Sequence, residues 1–364
     1  MEDISIDNGK EVMIQDYRRG LVKKILLLVF CVVGIVIVVG LLSLSVYDGL
    51  SLSEAYQMIW NHIRGVEYPV RSPEWWADWY IWNVAMVHAV VAILSGAALA
   101  CCGSLMQSLM NNPLADPYST GISSGACLGA MASIVVGITI GSLTGSAGTV
   151  LNAFVGAMVP AAIIILISER IHMTPATLIL LGTALSMFFG AFISFMMVTT
   201  DADTLQSAYL WQVGNFNNVS WNSVPIMLVV TVVGSIIVMF LSNKLNVMSL
   251  GDSSAQSLGI DVRKFRTLAL TLMAIMTAAI VAFVGILGFV GLVCPHIVRL
   301  IVGSDNKFVI PISMAVGALI VLFADYIAMT NSGLAVGVVI SAIGAPLFFI
   351  LILMARTQGK GAIY

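Results

Sequence analysis

Few side chains in this sequence could act as acids, bases, nucleophiles or metal ligands, and their spacing gives no catalytic set. The four histidines, His62, His88, His172 and His296, are scattered without the spacing of a metal site. Neither a G-x-S-x-G nucleophile motif nor a G-x-x-x-x-G-K-[ST] phosphate loop occurs. We therefore expect no catalytic residue, no metal site and no cofactor bound by this chain, and no ATP hydrolysis by the chain itself.

Two sites within apolar segments nevertheless contain ionisable residues. A carboxylate at Asp325 would cost roughly 2.5–3.5 kcal/mol if it faced lipid, so it should face protein or water. It could make a polar contact between helices, or it could carry a proton during transport. Cys294-Pro295-His296 could ligate haem or a metal. We favour the simpler interpretation, a proline-broken helix end with the imidazole near the lipid headgroups.

A third candidate is the stretch 250–260, L-G-D-S-S-A-Q-S-L-G-I, which lies between two apolar segments. Asp252 is predicted to cap a short helix. Gly259 is predicted to end it, because glycine adopts the left-handed conformation at low cost. Asp261 can cap the next helix. The pattern indicates a two-turn helix, capped at both ends.

The short helix has a small apolar face. Ala255 and Leu258 are three residues apart and therefore share one side of it. Arg263, Lys264 and Arg266 follow and indicate the water side of a membrane entry point. The face either docks into another protein or belongs to an ordinary surface loop.

The amino-acid composition indicates the class of protein in which these candidate residues lie. Hydrophobic residues make up 59% of the 364 residues and charged residues 9%, against about 45–50% and 25% in soluble domains. The chain is therefore a polytopic membrane protein without a soluble catalytic domain. Its cysteines all lie in apolar segments, and we interpret them as packing residues. They are Cys31, Cys101, Cys102, Cys127 and Cys294.

Ten membrane spans are predicted in a single domain, residues 24–356, with polar tails at 1–23 and 357–364. Tryptophan clusters between spans suit a membrane–water boundary. The spans lie at about 24–46, 82–107, 119–140, 148–168, 175–198, 224–242, two within 267–298, 308–328 and 334–355.

The run 267–298 is too long for one span. As one helix its 32 residues would be about 48 Å long, against ~30 Å of apolar membrane thickness. Two full upright spans would need about 40 residues. A broken hairpin with one short arm fits best, turning around Gly285, Gly288 or Gly291.

Ten spans place both termini on one side, and the basic residues indicate which side. Arg64 and Arg71 fall on one side, and the other 14 of the 16 Lys and Arg residues fall on the other. Such a split predicts that both termini and the stretch 250–260 are cytoplasmic. The expected location is the inner, cytoplasmic membrane.

At several motifs the chain resembles the FecCD family of ABC-transporter permeases, which take up iron–siderophore complexes, haem and cobalamin. The similarity runs from about residue 78 to 356. The ordered motifs are G-A-A-L-A-C-C-G-S-L-M-Q (96–107), N-P-L-A-D-P (112–117), G-I-S-S-G-A (121–126), the stretch 250–260, G-F-V-G-L-V-C-P-H-I-V-R-L (288–300) and G-V-V-I-S-A-I-G-A-P-L-F (337–348).

The resemblance implies an all-α, ten-span permease similar to the vitamin B12 permease, working as a homodimer or with a similar subunit. It implies two cytoplasmic ATPase subunits, which bind ATP and Mg²⁺, and an extracytoplasmic substrate-binding protein. The translocation path would lie at the dimer interface, lined largely by spans five and ten. In this resemblance the stretch 250–260 is the coupling helix that sits in a groove of the ATPase. Its matching residues are Gly251, Asp252, Ala255, Leu258 and Gly259.

The resemblance also implies a cytoplasmic gate. Asn112 and Leu114 match the first gate loop, and Thr174 with Pro175 falls at the second gate position. No nucleic-acid partner is implied.

One departure concerns docking of the binding protein. Span two in the family usually begins R-L-P-R, whose arginines face carboxylates on the binding protein, and here 85–88 reads A-M-V-H. A further family arginine corresponds to Met329. Arg64, Arg71 and His88 are the candidate docking residues that remain.

Two functional hypotheses follow. The first is a permease subunit of an ATP-driven importer for an iron chelate, such as a siderophore or haem, or for cobalamin. The second is a proton-coupled secondary transporter that uses Asp325 as its proton site. A membrane-anchored enzyme or sensor has little support, because the loops are short and carry no catalytic set.

Overall fold

The computed structural model describes residues 2–141, 145–170, 174–331 and 334–357. Every regular element in this part of the chain is helical. The fifteen α-helices are α1 (Glu2–Ser45), α2 (Leu52–Ile63), α3 (Pro73–Tyr80), α4 (Met86–Leu109), α5 (Ile122–Ile134), α6 (Gly145–Arg170), α7 (Pro175–Thr199), α8 (Ala202–Gln212), α9 (Val224–Phe240), α10 (Ser242–Met248), α11 (Asp252–Ser257), α12 (Val262–Val284), α13 (Val290–Val302), α14 (Asn306–Thr330) and α15 (Val336–Thr357).

The apolar helices account for the ten predicted spans. Six are long enough to cross a membrane, and α9 and α10, which meet at a bend of 60°, pass the same test only when they are taken together. Three shorter apolar helices complete the set: Ile122–Ile134, Val290–Val302 and Val336–Leu351. The fold is thus an all-α polytopic membrane protein, as predicted. The second span is the longest, because a π-helical turn at Ile81–Ala85 joins α3 to α4 without interruption.

The bundle has two distinct ends. We call the end that carries the connections 241–261 and 303–305, next to Arg263, Arg299 and Lys307, the basic end. The opposite end carries residues 46–80 and 200–223 with most of the tryptophans, and we call it the aromatic end.

Helix α4 lies at the centre and packs against α1, α9, α12, α13 and α14. Close approach depends on glycine pairs. Gly96 lies against the backbone of Gly317 on α14, and Gly103 lies against the backbone of Gly291 on α13, so that a Cβ on either α4 glycine would overlap the facing carbonyl. Small residues at such crossings let membrane helices pack closely.

The run 267–298 forms the broken hairpin that the length argument predicted. Helix α12 ends at Val284 and is followed by its cap residue Gly285 (φ +72°), and α13 begins at Val290, after Phe289 (φ +65°). Its second arm, α13, has only 13 residues. The turn therefore lies at 285–289, and Gly291 is already inside the short arm.

The expectation for Cys294-Pro295-His296 was wrong. These residues lie within α13, not at its end, and His296 is buried in the bundle instead of near a headgroup layer. The five cysteines are free and buried, which agrees with their interpretation as packing residues. His172 and the tail residues 358–364 lie outside the described residues.

Candidate functional site

The stretch 250–260 connects α10 to α12 at the basic end and forms the short helix α11 (Asp252–Ser257). The cap differs from the prediction. Gly251 occupies the N-cap position with φ +95°, and no side chain caps the helix. The Asp252 carboxylate instead accepts hydrogen bonds of 2.8 and 3.0 Å from Nη2 of Arg266. Arg266 was expected at the water surface, but its side chain is only 5% exposed.

The apolar face of α11 also differs from the prediction. Ala255 is completely buried among residues of its own chain, so it cannot contact another subunit in this conformation. Leu258 is 64% exposed, and Leu250 at the start of the stretch is exposed to a similar extent. The surface open to a partner is therefore formed by Leu250 and Leu258 with the serines between them, whereas Ala255 anchors the helix from inside.

The end of α11 has the predicted geometry. Gly259 has φ +83°, and its N–H donates to the carbonyl of Gln256 at 2.9 Å. The next N–H, of Ile260, donates to the carbonyl of Ala255 at 3.0 Å. Asp261 caps α12 by accepting from the N–H of Lys264 at 3.1 Å. That backbone hydrogen bond lowers the pKa of Asp261, as expected for a carboxylate at a helix N-terminus.

The two gate positions lie on elements that touch. The Asn112 side chain accepts from the N–H of Leu114 at 2.9 Å and leaves Leu114 about half exposed. The following turn, Pro117–Thr120, packs against α7, where Gly182 lies against the backbone of Ser119. Helix α7 itself begins at the second gate position. Thr174 caps it through the N–H of Thr177 at 3.2 Å, and Pro175 is its first residue.

Asp116 ends the gate loop. Its Oδ1 accepts from the N–H of Tyr118 at 2.8 Å and so caps the turn that follows. Burial raises the pKa of this carboxyl to about 6, although that hydrogen bond acts in the opposite direction. The same loop reaches the stretch 250–260, because a Cβ on Gly251 would lie 4.0 Å from Nδ2 of Asn111. The gate loop and the stretch 250–260 are therefore neighbours.

A polar network at the basic end was not anticipated. Arg299 of α13 donates through Nη2 to Oγ of Ser108 at 2.8 Å and to Oδ1 of Asn306 at 3.0 Å. Asn306 in turn donates through its backbone N–H to Oδ1 of Asn246 at 2.8 Å. The network ties α4, α10, α13 and α14 together. The signal in the sequence is a set of amide and hydroxyl residues at the ends of apolar runs, but such residues alone do not show which will meet.

The intramembrane carboxylate is paired. Nδ1 of His88 on α4 lies 3.1 and 3.2 Å from the two carboxylate oxygens of Asp325 on α14. The Asp325 side chain is 1% exposed, and Phe216 packs edge-on against the imidazole with ring centroids 5.8 Å apart. The structure therefore provides the polar contact between helices that was one of the two alternatives for Asp325.

The three candidate docking residues lie in different settings. His88 is mostly buried and points to Asp325, so it is not available as a docking residue on the surface. Arg64 follows the end of α2 and Arg71 lies in the next loop with φ +69°; both are exposed at the aromatic end. Nearby, His62 bonds to Asp78 at 2.8 Å and stacks on Trp82 at 4.1 Å. A docking role for Arg64 and Arg71 stays a prediction.

Several known proteins are similar to this chain in sequence. The model of the FecCD transport family matches residues 26–354. The hemin transport system permease protein HmuU of Yersinia pestis is 32% identical over 347 residues, which cover 94% of this chain and 100% of that protein. The vitamin B12 import system permease protein BtuC of Klebsiella pneumoniae is 35% identical over 283 residues, covering 77% and 84% respectively.

A solved structure agrees with these matches. It is described as an inward-facing conformation of a metal-chelate type ABC transporter. It is 27% identical to this chain and superposes with a TM-score of 0.75 over 90% of this chain and 98% of its own. Because the family model covers most of the chain and the folds agree, this multi-pass membrane protein belongs to the FecCD transport family of ABC-transporter permeases.

Proposed function

We propose that the chain is the permease subunit of an ATP-driven importer that moves an iron chelate, such as a siderophore or haem, or cobalamin into the cytoplasm. The observation that carries this proposal is the exposed surface of the stretch 250–260. Leu250 and Leu258 are exposed on either side of a short helix that the partly buried Asp252–Arg266 pair ties to α12. Exposed apolar residues in a fixed geometry are suited to a protein partner.

In this proposal the partner is a cytoplasmic ATPase subunit that carries ATP and Mg²⁺. Two permease subunits, arranged as a homodimer, bind two ATPases, and closure of the ATPases moves the paired 250–260 helices. An extracytoplasmic binding protein delivers the cargo at the aromatic end, with Arg64 and Arg71 as docking residues. The gate residues Asn112, Leu114, Thr174 and Pro175 close the path at the basic end. This permease subunit performs no enzymatic step.

The coupling role is tested in proteoliposomes that contain the permease, its ATPase and its binding protein. Leu258→Arg should abolish ATP-dependent uptake and retention of the ATPase on the purified permease, because a charge replaces the exposed leucine at the docking surface. The control is Val22→Arg, which changes an exposed residue on α1 and should leave both unchanged. Normal uptake by a correctly inserted Leu258→Arg protein would refute the coupling role.

Orientation needs a separate measurement. The five native cysteines are buried, so a single introduced cysteine can report its own accessibility. In intact cells, Arg71→Cys should react with an impermeant maleimide, and Gly259→Cys should react only after the membrane is opened. The opposite pattern would place the termini outside.

The proton-coupled alternative rests on Asp325. The hydrogen bond between His88 and Asp325 favours a structural role, because the Asp325 carboxylate already has a partner and its side chain is almost completely buried. The same proteoliposomes decide between the two: uptake without ATP that follows an imposed proton gradient, and that Asp325→Asn abolishes, would support the alternative.

A further inference from the structure

A groove of about 990 Å³ lies over the outer side of α12 toward the aromatic end. Helices α6 and α9 both pack on α12 and form the two walls of the groove. The floor is one face of α12 made by Ile275, Ala279 and Ala282, which are spaced four and three residues apart. Ile275 is exposed in the groove, whereas Ala279 and Ala282 lie at its bottom and are nearly buried.

The roof of the groove is formed by α8 and residues 213–223, and it is held in place by hydrogen bonds. The N–H of Asn215 donates to the carbonyl of Val284 at 3.0 Å, which fixes the roof to the last turn of α12. The N–H of Gly337 donates to the carbonyl of Gly214 at 3.0 Å, which fixes it to α15. The groove is therefore a preformed feature of the bundle.

The chemistry of the lining changes along the groove. Its walls are apolar, with Phe154 on α6 and Val230 on α9. Its rim carries the exposed amides of Asn217, Asn218 and Asn222. Among the described residues, none that lines the groove is ionisable. An apolar slot under a neutral, hydrogen-bonding rim matches an amphiphile with an alkyl chain and uncharged ester groups, and it gives no counter-charge to an ionic chelate.

The outer sides of both walls indicate where the groove opens. Val155 and Val159 on α6, and Val229 and Val233 on α9, are exposed apolar residues on spans. Such surfaces face lipid in a membrane. We propose that this groove binds one membrane phospholipid, with an acyl chain over Ala279 and the glycerol ester region beneath the rim asparagines.

The test uses the purified transporter complex in nanodiscs of phosphatidylethanolamine that contain phosphatidylcholine with a diazirine in its acyl chain. After illumination, mass spectrometry of peptides locates the cross-links. We expect a peak of labelling on residues 275–283 and loss of that peak in Ala279→Phe, which fills the floor. Labelling of the exposed Phe30 on α1 should not change. The control Val233→Phe adds bulk on the outer surface of α9 and should keep the peak.

A second variant covers the case in which Ala279→Phe does not yield a monodisperse protein. The double change N218L/N222L leaves the floor intact and removes two rim amides, and it should lower labelling at 275–283 as well. Even labelling of all exposed helices, or an unchanged peak in both variants, would overturn the proposal. Displacement of the label by haem or cobalamin, or a disulfide between two Ile275→Cys copies, would assign the groove to cargo or to a second copy and would equally overturn it.

Discussion

His88 and Asp325 form a buried hydrogen-bonded pair that joins α4 to α14, with Nδ1 3.1 Å from Oδ1. The two residues are 237 positions apart in the sequence. His88 stands where the family resemblance places the last arginine of R-L-P-R. In this chain that position therefore stabilises the permease itself, and it cannot simultaneously receive a carboxylate of a binding protein.

We expect that replacing either residue of this pair alone destabilises the folded protein. His88→Leu or Asp325→Leu should lower the unfolding midpoint in detergent, because removing one partner leaves the other as a buried polar group without its hydrogen bond, which costs about 1–3 kcal/mol. The double variant should recover most of the loss, giving a coupling free energy of about 0.5–3 kcal/mol. The control is Phe323→Leu, an exposed position on the same helix. Additive losses in the double variant would show that the two side chains do not interact.

The Asp252–Arg266 pair should hold α11 in place. Asp252→Ala leaves the nearly buried Arg266 without its carboxylate, so we expect faster hydrogen exchange over residues 250–262 and reduced ATP-dependent uptake. The control is Lys264→Gln, because the Lys264–Asp261 pair is exposed and exposed pairs contribute about 0–1 kcal/mol. If both variants exchange at the wild-type rate, the buried pair does not position the helix.

The glycine crossings should tolerate no side chain. Gly103→Ala places a methyl group against the backbone of Gly291, and overpacking of this kind costs about 1–3 kcal/mol or more. We expect a smaller monodisperse fraction on size-exclusion chromatography and a lower unfolding midpoint. Gly190 on α7 is the matched control, since a Cβ there meets nothing within 4 Å. Equal behaviour of Gly103→Ala and Gly190→Ala would contradict the close approach.

Asp116 should give stability a measurable dependence on pH. Burial raises its pKa from 3.8 to about 6, so the folded protein holds this proton more tightly than the unfolded chain. Its contribution to stability is therefore present below about pH 4 and is lost as the pH rises through 6. Asp116→Asn keeps a good capping side chain without the ionisation. Relative to wild type, we expect it to be more stable at pH 7 and to lack this slope in thermal unfolding between pH 4 and 6.

Much of the architecture could be predicted because its causes are local. Apolar length and a count of residues in the run 267–298 were sufficient to locate the apolar helices and the broken hairpin. Gly259 and Asp261 were predicted correctly as helix-ending and helix-capping residues for the same reason, since capping depends on neighbouring backbone groups.

What could not be predicted depends on contacts distant in the sequence. The sequence favours Asp252 as a helix cap. In the structure its carboxylate instead accepts a hydrogen bond from the guanidinium of Arg266 on α12. Ala255 shares a helix face with an exposed leucine, yet only the packing of α11 on the bundle shows that this alanine is buried. The partner of Asp325 lies on another helix, and no spacing rule connects it to His88.

Helix α12 connects the two ends of the bundle. Its 23 residues make a rod about 34 Å long, joined at one end to the stretch 250–260 by the Asp252–Arg266 pair. At the other end Gly285 lies against the backbone of Trp211, and the neighbouring Gly214 carbonyl holds Gly337 of α15. One helix therefore links the stretch 250–260 to the start of α15 at the opposite end of the bundle. In the proposed importer, a displacement of the six-residue helix α11 would be transmitted to the start of α15 along this single helix.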